Sequence, residues 1–207
     1  MKHTVLYIHG KGGSAEESAH FIPLFPGCEV TGLDYRAFTP WETGAEIHAA
    51  LETLHGAGKD VTLIANSIGA YFTLHAGIDG MIQSAYFISP LTDMEELILG
   101  SLRRMDATEA RLKENGTLPT PWGETLSWDY LNYVRSHPVT WNAPTHILFG
   151  SADTLIPFET VRAFAEKHNA DLTVMEGGGH WFHTEEQMRF LDAWIRSYEM
   201  KQNDKPQ

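Results

Sequence analysis

One serine, Ser67, stands between an apolar run and a segment with the pattern of a helix. The run from Val61 to Ala65 is typical of a buried strand, and the residues after Gly69 predict a helix. A strand that turns into a helix over one residue forces that residue into a strained backbone conformation, which only small neighbours permit. Ala65 and Gly69 lie two positions away on either side. The pattern indicates an exposed hydroxyl, which is either a nucleophile or an ordinary helix cap.

Asp153 and His180 follow two later segments that predict strands. In a parallel sheet, ligands bind beyond the carboxyl ends of the strands, so we expect both residues at the same edge as Ser67. A serine hydroxyl is a weak nucleophile near neutral pH and needs a base within hydrogen-bond reach. His180 can take that proton and return it to a leaving group. Asp153 can hold the imidazole in the required tautomer and stabilise its charged form.

Other residues compete for these roles. Asp93 follows the fourth predicted strand and is the alternative to Asp153 as the acid. His183 is the rival of His180 as the base, although we expect it to line or cap the last helix. Asp34 follows the second predicted strand, and there we expect it to bind loop amides.

Metal and phosphate sites are not expected. His180, His183, Glu185 and Glu186 lie close together in the chain, but their spacing is not that of a His-Glu-x-x-His motif and no third ligand is evident. The glycine-rich stretch 10–13 lacks the spacing of a Walker loop. We therefore predict neither a metal ion nor a cofactor.

Strands alternate with amphipathic helices along most of the chain. Six segments predict strands: 4–8, 29–33, 61–65, 84–88, 146–149 and 172–175. Capping patterns predict helix starts at Ser14 with Glu17, at Thr39 with Pro40, and at Thr184 with Gln187. Such alternation predicts an α/β domain over residues 1–200, built on a doubly wound, mostly parallel, six-stranded sheet. The polar residues 201–207 predict a frayed tail.

The alternation breaks between about residues 92 and 140. This stretch contains helical segments but no convincing strand, so we predict a helical insertion. It and its flank are rich in aromatic side chains: Trp122, Trp128, Tyr130, Tyr133 and Trp141. These aromatics either pack within the insertion or line an apolar acyl or aryl pocket, and the two roles are compatible.

Taken in order, these motifs resemble the α/β-hydrolase superfamily, in the form of a compact serine hydrolase or esterase. The similarity extends from about residue 5 to about residue 198. It rests on the His9-Gly10 turn, the Ser67 elbow, the loop 149–157 and the Gly179-His180 pair. A six-stranded member lacks the first two strands of the full family sheet.

The resemblance implies that Ser67, Asp153 and His180 form a catalytic triad in the chain order Ser, Asp, His. The backbone N–H of Ile68, at the start of the helix, can donate to the oxyanion of the tetrahedral intermediate. The resemblance assigns the second donor to the residue after His-Gly, which is Lys11. It also implies that the 92–140 insertion is a lid over the site.

Charge and composition exclude several classes of partner. The 207 residues include 15 Lys and Arg against 27 Asp and Glu, which gives a formal net charge of −12. Nucleic acids and anionic membranes require a positive face, so neither is an expected partner. No leader segment and no apolar run long enough to span a bilayer is evident, so we expect a cytoplasmic protein. The single cysteine, Cys28, is expected to be a buried core thiol.

The sequence therefore predicts a cofactor-independent serine hydrolase. Its expected partner is a small or medium carboxylic ester, cleaved through an acyl-enzyme. Cleavage of thioesters, amides or peptides, acyl transfer and lyase chemistry use the same machinery and remain alternatives. A non-catalytic binding protein of the same fold is a further alternative from a different class. The oligomeric state is left open.

Overall fold

The computed structural model describes residues 2–203. The strands are β1 (Lys2–Ile8), β2 (Glu29–Gly32), β3 (Lys59–Asn66), β4 (Ser84–Ile88), β5 (Thr117–Pro119), β6 (Thr125–Ser127), β7 (Thr145–Gly150) and β8 (Asp171–Met175). The α-helices are α1 (Pro40–Gly56), α2 (Ile68–Leu74), α3 (Met94–Arg104), α4 (Glu109–Asn115), α5 (Trp128–Ser136), α6 (Phe158–His168) and α7 (Glu185–Asn203). A 3₁₀ helix, η1, spans Ala15–Leu24.

Six of these strands form one sheet in the order β2-β1-β3-β4-β7-β8, and every neighbouring pair is parallel. The predicted six-stranded α/β fold is confirmed. The chain winds outward from β1 to β2 and then returns to β3 on the other side of β1. This change of winding direction creates a switch point between β1 and β3, and such points are where parallel sheets bind ligands. Ser67 follows β3 directly.

Helix α7 buries the apolar face that its sequence predicts. Leu191, Trp194 and Ile195 are buried in the same core cluster as residues of β1, β3 and β4, and Met188 and Tyr198 pack against this cluster. Because these side chains recur every three or four residues, they form one stripe along the helix. The stripe fixes α7 to the sheet.

Helices begin at all three predicted positions, and two of the three have the predicted side-chain cap. The Thr39 hydroxyl accepts the N–H of Glu42 at 3.3 Å, and Pro40 occupies the first turn of α1. At the start of α7, the Thr184 hydroxyl accepts the N–H of Gln187, whose side-chain oxygen accepts the N–H of Thr184 in return. This reciprocal pairing is a capping box.

The predicted capping box at Ser14 and Glu17 is wrong. The Ser14 side chain makes no capping hydrogen bond, and the segment that follows is a 3₁₀ helix. The Glu17 carboxylate instead accepts the Tyr7 hydroxyl at 2.6 Å. Glu17 therefore contacts the neighbouring strand β1 and does not form the local side-chain pair that the spacing predicts.

The chain divides into two compact units. Asp93–Thr140 is one of them, and it comprises α3, α4, α5 and an antiparallel hairpin of β5 and β6. Leu112 and Leu131 are fully buried. The expectation that this stretch contains no strand is wrong, because each hairpin strand has only three residues and is too short to show a pattern. A lid role for the unit stays a prediction.

The other unit contains the six-stranded sheet, and Trp141 belongs to it. Its indole is buried and lies 5.7 Å from the ring of Phe87. Cys28 is partly buried against the core cluster. Helix α7 continues to Asn203, whereas residues 204–207 of the predicted tail lie outside the described residues.

Candidate active site

Ser67 occupies a strained turn between β3 and α2. Its backbone has φ 52° and ψ −119°, in the left-handed half of the map that side chains other than glycine rarely adopt. Three backbone hydrogen bonds hold this turn. The Ser67 N–H donates to Ile88 O at 2.9 Å, and the Ser67 carbonyl accepts the N–H groups of Leu91 (3.1 Å) and Ala70 (3.2 Å). The turn forms although Ala65 stands where the common elbow pattern G-x-S-x-G has its first glycine.

Glycines bring the first loop into contact with this turn. A methyl group at Gly69 would collide with the carbonyl oxygens of His9 and Ile8, so only glycine fits where α2 crosses the end of β1. A Cβ at Gly10 would lie 3.3 Å from the Ser67 Cβ. The loop 9–13 therefore lies directly against the serine, and Lys11 follows the contact residue.

Ser67, His180 and Asp153 form a continuous chain of hydrogen bonds. The His180 Nδ1–H donates to Asp153 Oδ2 at 2.7 Å, because a carboxylate can only accept. His180 Nε2 is then free to accept the Ser67 hydroxyl, whose Oγ lies 2.9 Å away. Only 4% of the His180 side chain and none of the Asp153 side chain is exposed. The arrangement can transfer a proton from the serine to the imidazole.

The Asp153 carboxylate is fixed by its own loop. Its second oxygen, Oδ1, accepts the N–H groups of Leu155 at 2.8 Å and Ile156 at 3.0 Å. The loop after β7 also packs against the loop after β8, since the Ala152 N–H donates to Gly178 O at 2.8 Å. The two loops carry the aspartate and the histidine side by side.

The competing residues have other contacts. The Asp93 carboxylate accepts the Glu96 N–H at 2.9 Å and caps α3. His183 is exposed, and its backbone N–H donates to the Gln187 side chain. Asp34 is exposed and lies 3.9 Å from the Arg36 guanidinium rather than against loop amides.

His9 anchors the loop that faces Ser67. Its Nδ1–H donates to Gly10 O at 2.8 Å, and its ring stacks on Tyr35 with a centroid distance of 4.1 Å. The Tyr35 hydroxyl donates to His9 O at 2.7 Å. These contacts give His9 a structural role in the loop 9–13.

Tyr7 and Glu17 brace the same loop, and sequence reasoning missed them. The Glu17 carboxylate oxygens lie 2.8 Å from the position of a Cβ at Gly13, and the Tyr7 hydroxyl donates to this carboxylate. Burial and the adjacent Glu17 raise the pKa of Tyr7 far above its ordinary value, whereas a hydrogen bond with the Asn66 side chain lowers it. Tyr7 therefore connects the loop 9–13 to the residue before Ser67. No local sequence signal marks such a contact between elements.

The described residues contain neither a candidate metal site nor a candidate membrane span. No group of three or more His, Cys, Asp or Glu side chains there is arranged to hold a metal ion. Nor is any helix between residues 2 and 203 both long and apolar enough to cross a bilayer.

Comparison with known proteins decides the family. A family model described as the alpha/beta hydrolase family matches residues 5–193, which is most of the chain. The chain belongs to the α/β-hydrolase family. A search of curated proteins finds no significant match.

Solved structures show the same α/β-hydrolase fold. Est1E from Butyrivibrio proteoclasticus has a TM-score of 0.74 at 18% identity, over 99% of this chain and 89% of that one. Mouse alpha/beta hydrolase domain-containing protein 10 has a TM-score of 0.73 at 15% identity, over 96% of this chain and 90% of that one. An α/β serine hydrolase without a lid, from Xanthomonas campestris, has a TM-score of 0.67 at 15% identity, over 99% and 84%. At these identities the similarity concerns the fold alone.

Proposed function

We propose that this protein is a serine hydrolase that cleaves small or medium carboxylic esters through an acyl-enzyme. The observation that supports it best is the hydrogen-bonded chain from Ser67 through His180 to Asp153, which begins at a strained turn between a strand and a helix. A merely capping serine has no need of a buried histidine–carboxylate pair. Strain at a single residue, held by several backbone hydrogen bonds, is typical of functional sites.

In the acylation step, Ser67 Oγ attacks the ester carbonyl carbon while His180 Nε2 takes the hydroxyl proton. Asp153 keeps the Nδ1 proton in place and stabilises the imidazolium. When the tetrahedral intermediate collapses, His180 gives its proton to the alcohol oxygen and the carbon–oxygen bond breaks. In deacylation, a water molecule attacks the acyl carbon and loses a proton to His180. His180 then gives this proton to Ser67 Oγ as the bond between the acyl carbon and Oγ breaks, which releases the acid and restores the serine hydroxyl.

The oxyanion of each intermediate requires fixed donors, and we assign these to the backbone N–H groups of Lys11 and Ile68. Ile68 opens α2 immediately after the nucleophile. Lys11 follows Gly10, whose backbone packs against the Ser67 side chain. Removal of one such donor typically costs about 3 kcal/mol of transition-state stabilisation.

An ester substrate agrees with the chemistry of the proposed site and with the ligand bound in one of the similar structures. Est1E has been solved with ferulic acid bound, and a carboxylic acid is what ester hydrolysis releases. The expected partner is therefore a small molecule with an ester bond. A cytoplasmic location stays a prediction.

Labelling with a fluorophosphonate probe tests the proposal. The wild-type protein should react at one site, which peptide mapping assigns to Ser67, and Ser67→Ala should not react. Ser89→Ala is the matched control, because the Ser89 hydroxyl is buried near the same turn and has no hydrogen-bond partner among residues 2–203. This variant should label like the wild type. Folded wild-type protein that neither labels nor hydrolyses p-nitrophenyl esters would favour a non-catalytic binding protein.

A further inference from the structure

Trp181 presents a large aromatic surface beside the proposed base. Trp181 is 52% exposed, and the centroid of its indole lies 4.9 Å from that of the His180 ring, in an edge-to-face arrangement with an interplanar angle of 89°. Burial of a tryptophan side chain is favourable, so a substrate group that covered the exposed part of Trp181 would gain apolar contact next to the reactive imidazole.

The backbone is strained at the residue that follows Trp181. Phe182 has φ 28°, a value unusual for a bulky residue, and its side chain is 4% exposed. His180 on the other side is also buried. The chain thus turns two neighbouring side chains inward and directs the indole between them to the surface. Such a conformation is unfavourable for a residue other than glycine, and strained residues of this kind cluster at functional sites.

The chemistry of the proposed reaction places one half of the substrate near this indole. During acylation His180 transfers its proton to the alcohol oxygen, so the alcohol part of the ester must lie beside the His180 ring. The acyl part stays bonded to Ser67 Oγ and need not approach that ring. The aromatic surface that adjoins His180 is therefore positioned for the leaving alcohol.

We propose that Trp181 binds the alcohol part of the substrate, and that the natural substrates are esters of aromatic or bulky apolar alcohols. This inference rests on the proposed function of the site. An aromatic group in the alcohol can stack on the indole or approach it edge-on, a contact worth about a factor of ten in addition to the apolar area it buries.

The test compares phenethyl acetate with ethyl acetate, whose alcohols differ in size but both have aliphatic hydroxyl groups. We expect Trp181→Ala to lower kcat/KM for phenethyl acetate by about tenfold and to leave that for ethyl acetate close to the wild-type value. Trp181→Phe, which keeps an aromatic ring, should restore most of the preference. Met200→Ala is the control for loss of an exposed apolar side chain, since Met200 is 62% exposed near the end of α7. This variant should leave kcat/KM for both substrates unchanged.

A second pair of substrates, ethyl acetate and ethyl hydrocinnamate, varies the acyl part with a constant alcohol. An unchanged preference for phenethyl acetate in Trp181→Ala would overturn the inference, and so would a loss confined to ethyl hydrocinnamate. Fluorophosphonate labelling of the same variant keeps the two proposals apart. A labelled Ser67 with no change in alcohol preference refutes the role of Trp181 only, whereas wild-type protein that does not label refutes the proposed function itself.

Discussion

Replacement of Asp153 by asparagine should disable the protein without unfolding it. In the wild type, Oδ1 accepts two backbone N–H groups and Oδ2 accepts the His180 Nδ1–H at 2.7 Å. The asparagine oxygen must keep facing the N–H groups of Leu155 and Ile156, because only an oxygen can accept them. The amide NH₂ is then directed at His180 Nδ1. This forces the other tautomer, in which Nε2 carries the proton and cannot accept the Ser67 hydroxyl.

The expected loss in kcat is about 10⁴-fold, the effect of a wrong tautomer in a serine–histidine–aspartate site. It corresponds to about 5 kcal/mol in the activation barrier. Water cannot replace the carboxylate, since neither Asp153 nor His180 has more than 4% of its side chain exposed. Stopped-flow or steady-state hydrolysis of a p-nitrophenyl ester measures the loss. A urea titration should show nearly unchanged stability, because asparagine is isosteric with aspartate.

Asp93→Asn is the matched control. Asparagine caps a helix as well as aspartate does, so this change at the start of α3 should leave hydrolysis near the wild-type rate. Near-normal turnover of Asp153→Asn, with Asp93→Asn inactive, would refute the tautomer argument and make Asp93 the acid.

Three further predictions concern the surroundings of the site. Gly69→Ala should lower the free energy of unfolding by about 1–3 kcal/mol and abolish labelling, because its methyl group meets the carbonyl of His9. Tyr7→Phe removes the 2.6 Å hydrogen bond to Glu17 and should slow labelling while the fold stays intact by circular dichroism. Cys28 should react with iodoacetamide at pH 8 more slowly than free cysteine. Burial, and to a smaller extent the negative charge of Glu199, raise the pKa of its thiol and so reduce the thiolate fraction.

Each of these has a clear contrary outcome. Wild-type stability of Gly69→Ala would show that α2 and the end of β1 do not pack as closely as described. Tyr7→Phe that labels at the wild-type rate would exclude a positioning role for the Tyr7–Glu17 pair. Alkylation of Cys28 as fast as that of free cysteine would mean that its thiol is accessible and that its pKa is not raised.

The sheet and the positions of the key residues followed from local patterns. Short segments rich in apolar and β-branched residues predict strands, and one topological rule places Ser67, Asp153 and His180 at the same edge. The order of the residues in the chain alone could not predict the distances between these three side chains. Nor could it decide between Asp153 and Asp93, because both follow strands; the hydrogen bonds differ only in the folded chain.

Features that depend on contacts between elements escaped prediction. The Ser14–Glu17 spacing fits a capping box, yet the Glu17 carboxylate accepts the hydroxyl of Tyr7. Tyr7 lies on strand β1, outside the segment from which the capping box was predicted. The positive φ of Phe182 has no sequence signature, since phenylalanine ordinarily avoids that conformation. The β5–β6 hairpin was missed because three residues show no periodicity.

The central claim is that a covalent acyl-enzyme forms on Ser67. Rapid acid quenching of the protein during turnover of a slowly deacylating p-nitrophenyl ester, followed by peptide mass spectrometry, tests it most directly. An acyl group on the peptide that contains Ser67, absent from Ser67→Ala, is the predicted result. Turnover with no acylated peptide, or an acyl group that maps to another residue, would contradict the claim.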